Sequence, residues 1–79
     1  MSINNHRLST FDNVLLSYES RKFEIVSHGW TFSPEGQTPI KSGTTQRMAD
    51  CGNYEFVRIY TGLRKNNEIE FLLLRRKKV

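Results

Sequence analysis

The strong nitrogen and sulfur donors of this chain are His6, His28 and Cys51, and no two of them lie at a close ligand spacing. A closed zinc site needs four ligands at defined geometry, so neither a metal nor any other cofactor is expected. Cys51 and His28 can be written as a thiol–imidazole dyad. Such a nucleophile works only when a third group orients its base, and nothing in the sequence marks one. The plainer reading of Cys51 is a small, partly buried thiol near the end of a short helix. His28, Glu55 and Arg58 supply the residue types for a metal-independent ribonuclease: base, acid and phosphate clamp. Against that, His28 sits beside Gly29 as turn histidines do, and Glu55 and Arg58 belong to a strand pattern. Gly43, Gly52 and Gly62 are isolated and form no phosphate-cradling loop. The inventory points away from a stand-alone enzyme.

Binding chemistry has better support. Tyr54, Phe56, Arg58 and Tyr60 occur at every second position, so on a strand they share one face. Aromatic rings on a sheet can stack on unpaired bases, and arginine adds stacking and phosphate contacts. The same composition marks protein–protein hot spots. Arg64 and Lys65 follow, and Arg75-Arg76-Lys77-Lys78 extends the charge. Residues 1–56 carry a net −1 and residues 57–79 a net +5, so the overall +4 belongs to the C-terminal third. That asymmetry points to an acidic or polyanionic partner. A solvated basic tail is the alternative.

The elements that must position these side chains can be read along the chain. Its 79 residues suffice for a single domain, 1–79, with 1–8 as a lead and 77–79 as a basic tail. One cysteine excludes an intramolecular disulfide and suits a reducing compartment. The polar N-terminus lacks a signal-peptide apolar region, and the longest apolar run, Phe71 to Leu74, is too short to cross a bilayer. A cytoplasmic protein without membrane contact is expected. Ser9 or Thr10 caps a helix whose apolar face is Phe11, Val14, Leu15 and Tyr18, ending near Ser20-Arg21-Lys22; a strand over Asn13–Tyr18 is the alternative that Val14-Leu15-Leu16 leaves open. Phe23–Val26 and Gly29–Phe32 read as extended, with Gly29 at a turn or bulge. Ser33-Pro34-Glu35-Gly36 reads as a turn and Thr38–Lys41 as a short extended piece. Thr45–Cys51 is compatible with a second short helix, capped by Thr44 and stopped by Gly52-Asn53.

Tyr54–Thr61 and Glu68–Arg76 read as a β-hairpin. A two-residue turn at Asn66-Asn67 would set Arg58 opposite Arg75, an unfavourable pair. A three-residue loop, Lys65-Asn66-Asn67, sets Arg64 opposite Glu68 and Leu63 opposite Ile69, with Asn67 left-handed. That register gives a core face of Val57, Ile59, Leu63, Ile69, Phe71 and Leu73, interrupted by Thr61. The opposite face then carries Tyr54, Phe56, Arg58, Tyr60, Glu70, Leu72, Leu74 and Arg76, which Trp30 and Phe32 are placed to cover. The expected fold class is α+β: a small antiparallel sheet whose C-terminal hairpin packs against one N-terminal helix.

Trp30-Thr31-Phe32, and then Ile40-Lys41-Ser42-Gly43-Thr44-Thr45-Gln46, resemble a stretch of the small phage-borne anti-CRISPR proteins, with Ser42 to Gln46 the core of the likeness. The likeness covers about a dozen residues. The protein it resembles is strongly acidic and mimics DNA, whereas this chain is basic, so that mechanism is not carried over. The resemblance implies a compact intracellular inhibitor that docks on a bacterial nucleic-acid-processing complex, in the host cytoplasm if phage-encoded. It transfers no site residue. Two other readings stand beside it: direct RNA or DNA binding through the aromatic/Arg face, and a small ribonuclease toxin. An exposed sheet edge would also allow a homodimer.

Overall fold

The computed structural model describes residues 9–33 and 40–78. The lead at 1–8, His6, most of the 33–36 turn and the start of the 38–41 piece lie outside them. Helix α1 spans Thr10–Ser20. Ser9 caps it, accepting a hydrogen bond from the Asp12 amide at 3.1 Å, with Asp12 in the first turn. That arrangement satisfies an orphan donor and sets a negative charge at the positive end of the dipole. The helix closes with paired bonds from the Lys22 amide to the Glu19 carbonyl and from the Phe23 amide to the Tyr18 carbonyl. Lys22 takes the left-handed conformation, φ 75°, at the position glycine usually fills. The Tyr18 and Phe23 rings meet edge-on at 5.1 Å across this cap, so the stop signal also delivers Phe23 to the core.

Four strands follow: β1 (Glu24–Phe32), β2 (Thr45–Arg47), β3 (Tyr54–Lys65) and β4 (Glu68–Lys77). They form one antiparallel sheet in the order β1-β4-β3-β2. The fold is small α+β, as the sequence pattern predicts. Val57, Ile59 and Leu74 of the sheet join Phe23 in the buried cluster, and Phe11, Val14, Leu15 and Tyr18 of α1 pack on it with Leu72. The expected helix face is the face used. Ile59 and Leu74 have no exposed surface; complete burial of such a side chain contributes on the order of 1.5–3 kcal/mol.

Three expectations are corrected. Thr45–Cys51 contains no helix: Thr45, Gln46 and Arg47 pair with Ile59, Arg58 and Val57, and the Met48 amide continues the ladder to the Phe56 carbonyl. The free edge of β3 offers these residues a row of hydrogen-bonding partners, which outweighs a weak helical propensity. Glu24 to Val26 and Gly29–Phe32 belong to one extended run, with Phe23 just before it and the irregularity between Ile25 and Ser27 rather than at Gly29.

The third correction concerns the hairpin. Lys65 pairs with Glu68, so the turn has two residues, and Asn66 rather than Asn67 has positive φ. The Arg58–Arg75 clash is avoided further down. A bulge between Tyr60 and Arg64 shifts the register, so that Arg58 faces Leu73 and Arg75 faces Phe56. Gly62 makes the bulge. Its φ is 93°, and a Cβ there would lie 2.8 Å from the Ser42 side chain. The shift turns β4 over relative to the expected hairpin. Leu72 and Leu74 join the helix side, while Phe71 and Leu73 join Tyr54, Phe56 and Arg58 on the other.

Candidate binding face

The face opposite α1 is built from alternate residues of neighbouring strands. On β3 it presents Tyr54, Phe56, Arg58 and Tyr60; across β4 their partners are Lys77, Arg75, Leu73 and Phe71. The outer strands contribute small or polar groups, Gln46 on β2 and Ser27, Gly29 and Thr31 on β1. Among the described residues α1 is the one helix, and it lies on the other side. Trp30 and Phe32 do not cover the strip: they pair with Glu70 and Glu68 on the helix side, and Phe32 is 70% exposed.

The arginines of the strip lie flat on rings. The Arg58 guanidinium carbon is 4.2 Å from the Phe71 ring centre, and that of Arg75 is 4.3 Å from the Tyr54 ring centre. Such stacking fixes a long side chain and lowers the ordering cost of a later contact. Phe71 itself lies over Gly29, where a Cβ would come within 3.0 Å of the ring; glycine at this strand position provides the room. Arg75 donates to Glu24 at 2.8 Å, and this bond strengthens its hold on its proton. Arg58 and Lys77 have no carboxylate within ion-pair distance among the described residues, so the strip keeps positive charge.

The eight residues predicted to bind divide into groups. Tyr54, Phe56, Arg58 and Arg75 are half-buried and together on the open face. Tyr60 shares that face but is 4% exposed. Its hydroxyl donates to Gln46 at 2.6 Å and accepts from Arg58 at 3.3 Å, so it orients Arg58 from below. Arg64 pairs with Ile69 at the upper end and donates to the Ser33 carbonyl at 2.6 Å, tying β3 to the end of β1. Lys65 is exposed beside the hairpin turn. Arg76 sits on the opposite side of the sheet, where it grips Glu55 and lies over Phe23. Phe71, Leu73 and Lys77 are the strip residues that the expected register hid. Glycine inside a strand pattern is a bulge signal, and Gly62 was the clue.

The residues named for catalysis are scattered. His28 and Glu55 both lie on the helix side, level with Ile59 and Arg76 respectively, about 13 Å apart along the sheet. Arg58 faces the other way. Cys51 is exposed and bridges to Tyr54, at the end of β3 remote from His28. His28 instead contacts Glu70, which also accepts from Thr61 at 2.6 Å. The Thr61 hydroxyl first, and then His28, hold the Glu70 carboxyl below its ordinary value. No group of three or more His, Cys, Asp or Glu side chains among the described residues could hold a metal ion, and no helix there is long and apolar enough to cross a membrane. Searches of family models, of curated proteins and of solved structures find no match to the chain.

Proposed function

We propose that this protein is a non-enzymatic binding module, inhibitory or regulatory, that docks through its open sheet face on a protein of a nucleic-acid-processing complex. The observation that carries the reading is the strip of Tyr54, Phe56, Arg58, Leu73 and Arg75, with both guanidiniums pre-stacked on rings. Fixed aromatic and arginine side chains are what protein hot spots are made of. The stacked arginines also occupy ring faces that bases would need, and Tyr60 is buried. The unmatched charge of Arg58 and Lys77 favours an acidic patch on the partner's surface. The likeness around Ser42 to Gln46 supports a bacterial complex, and a phage-encoded inhibitor of it, as the setting.

The test is capture from bacterial lysate by the protein and by its Arg58→Glu/Lys77→Glu variant, with the captured proteins identified. A nucleic-acid-processing complex enriched on the first and lost on the second is the expected result. Equal capture by both would remove the open face from the account.

One observation favours direct nucleic-acid binding as a second reading: the half-exposed Tyr54 and Phe56 rings stand beside those same unpaired cations. Fluorescence polarisation with labelled single-stranded RNA, single-stranded DNA and duplex DNA distinguishes the two. A steep fall of affinity with salt, lost in Arg58→Glu, would establish this reading in place of protein docking.

A further inference from the structure

On the helix side, a cleft of about 160 Å³ opens between the end of α1 and strands β2, β3 and β4. Three arginines from three elements line it: Arg21 just beyond α1, Arg47 of β2 and Arg76 of β4. Glu55 of β3 stands between two of them. Its Oε1 accepts from Arg47 at 3.3 Å, and its Oε2 accepts from Arg76 Nε and Nη2 at 3.1 and 3.0 Å. One carboxylate therefore serves two guanidiniums. Arg47 reaches a second acid, Asp50, at 3.0 Å, but Asp50 is shared with Lys78 at 3.1 Å. Arg21 has no carboxylate within ion-pair distance among the described residues; its Nε donates to the Ser17 carbonyl, and it lies 4.2 Å over the Tyr18 ring. Around the cleft, four cations (Arg21, Arg47, Arg76 and Lys78) face two carboxylates (Glu55 and Asp50), an excess of two positive charges.

The guanidiniums are also held in place. Arg76 stacks 4.5 Å over Phe23 and donates Nη1 to the Arg21 carbonyl at 3.0 Å, which joins two walls of the cleft. Planar, fixed, always-charged forks are the side chains best suited to oxyanions with several acceptor atoms. The cleft volume is several times the ~30 Å³ that a water occupies in the liquid. We infer that this cleft is a binding site for a phosphoryl group, with Arg21, Arg47 and Arg76 as its donors and Glu55 as an internal competitor that tempers affinity. Its three arginines lie on the opposite side of the sheet from the arginines of the docking strip, although Phe56 borders both.

The experiment is an NMR titration of the arginine Nε–Hε signals with inorganic phosphate, at constant ionic strength against chloride. The expected result is a saturable shift of Arg21, Arg47 and Arg76 with Arg58 and Arg75 unmoved. Arg21→Gln, a change at an exposed position, should weaken binding roughly tenfold, the scale of one charge-assisted hydrogen bond. Glu55→Gln should strengthen it, because the competing charge is removed while an acceptor oxygen stays. Two further ligands separate the sources of the group: a nucleoside 5′-monophosphate, and a dinucleotide with an internal phosphodiester and no terminal phosphate. Binding of the first alone assigns the site to a terminal phosphate, and binding of both to a nucleic-acid backbone. Unsaturable shifts, shifts shared by all arginines, or unchanged affinity in both variants would overturn the site.

Discussion

The two faces of this sheet are made from the same strands and differ in what covers them. On one, eleven residues of α1 cover Val57, Ile59 and Leu74, which are 4% exposed or less. On the other, Phe71 and Leu73 are nearly as apolar but remain half-buried between Arg58 and Arg75. The helix side derives its stability from a few fully enclosed aliphatic side chains. The open side encloses Tyr60 and Ile69, 4% and 5% exposed, and spends its other aromatic and arginine residues on mutual stacking. A chain this short has few apolar residues to spare. Rings and guanidiniums left half-exposed on the face without a helix point to recognition.

The contrast should break most visibly at its covered side. Leu74→Ala or Ile59→Ala should cost about 2–5 kcal/mol, read as a large fall in the urea midpoint. A comparable loss from the open-face change Arg58→Gln would erase the distinction. Next is the bulge that sorts the faces. Gly62→Ala should cost about 1–3 kcal/mol because it combines positive φ with a clash at Ser42. Amide NMR should show the disturbance concentrated where β3 and β4 change register. Lys22→Gly should act in the opposite direction, stabilising by about 1 kcal/mol as the left-handed cap is relieved.

A smaller effect depends on pH. The folded Glu70 carboxyl is held below its ordinary 4.5, by Thr61 first and then by His28. Its contribution is therefore complete above 4.5 and is lost as pH falls through the folded value. Thr61→Val removes the largest cause. The stability gap between the native chain and this variant should be wider at neutral pH than well below 4.5, measured by urea unfolding at both. The smallest effect is expected at the exposed end of the open face: Lys77→Gln should change stability by less than about 0.5 kcal/mol.

How the faces are sorted was only half legible in the sequence. α1 could be read because its cap, its apolar spacing and its stop are all local signals, and Ser9, Phe11, Val14, Leu15, Tyr18 and Lys22 play those parts. The face parity of β3 up to Tyr60 followed from strict alternation, but Leu63, expected in the core, lies beyond the bulge and is 54% exposed. The parity of β4 did not follow, because Ile69 to Leu74 includes apolar residues of both parities, and pairing alone decides which of them face the helix. The chain keeps Arg58 and Arg75 apart, as like charges require, with a bulge at Gly62 rather than a longer turn. β2 was missed because three residues gain their structure wholly from β3. The arginine cleft joins positions 21, 47, 55 and 76, and no spacing rule connects residues that only the finished sheet brings together.

The most direct test of the docking face is site-specific photocrosslinking in bacterial lysate, with the crosslinking amino acid placed at Leu73 on the open face or at Leu16 on the outer surface of α1. The account predicts adducts with a protein of a nucleic-acid-processing complex from position 73, abolished by Arg58→Glu, and none from position 16. Adducts from position 16 alone, or adducts from position 73 that Arg58→Glu leaves unchanged, would contradict it.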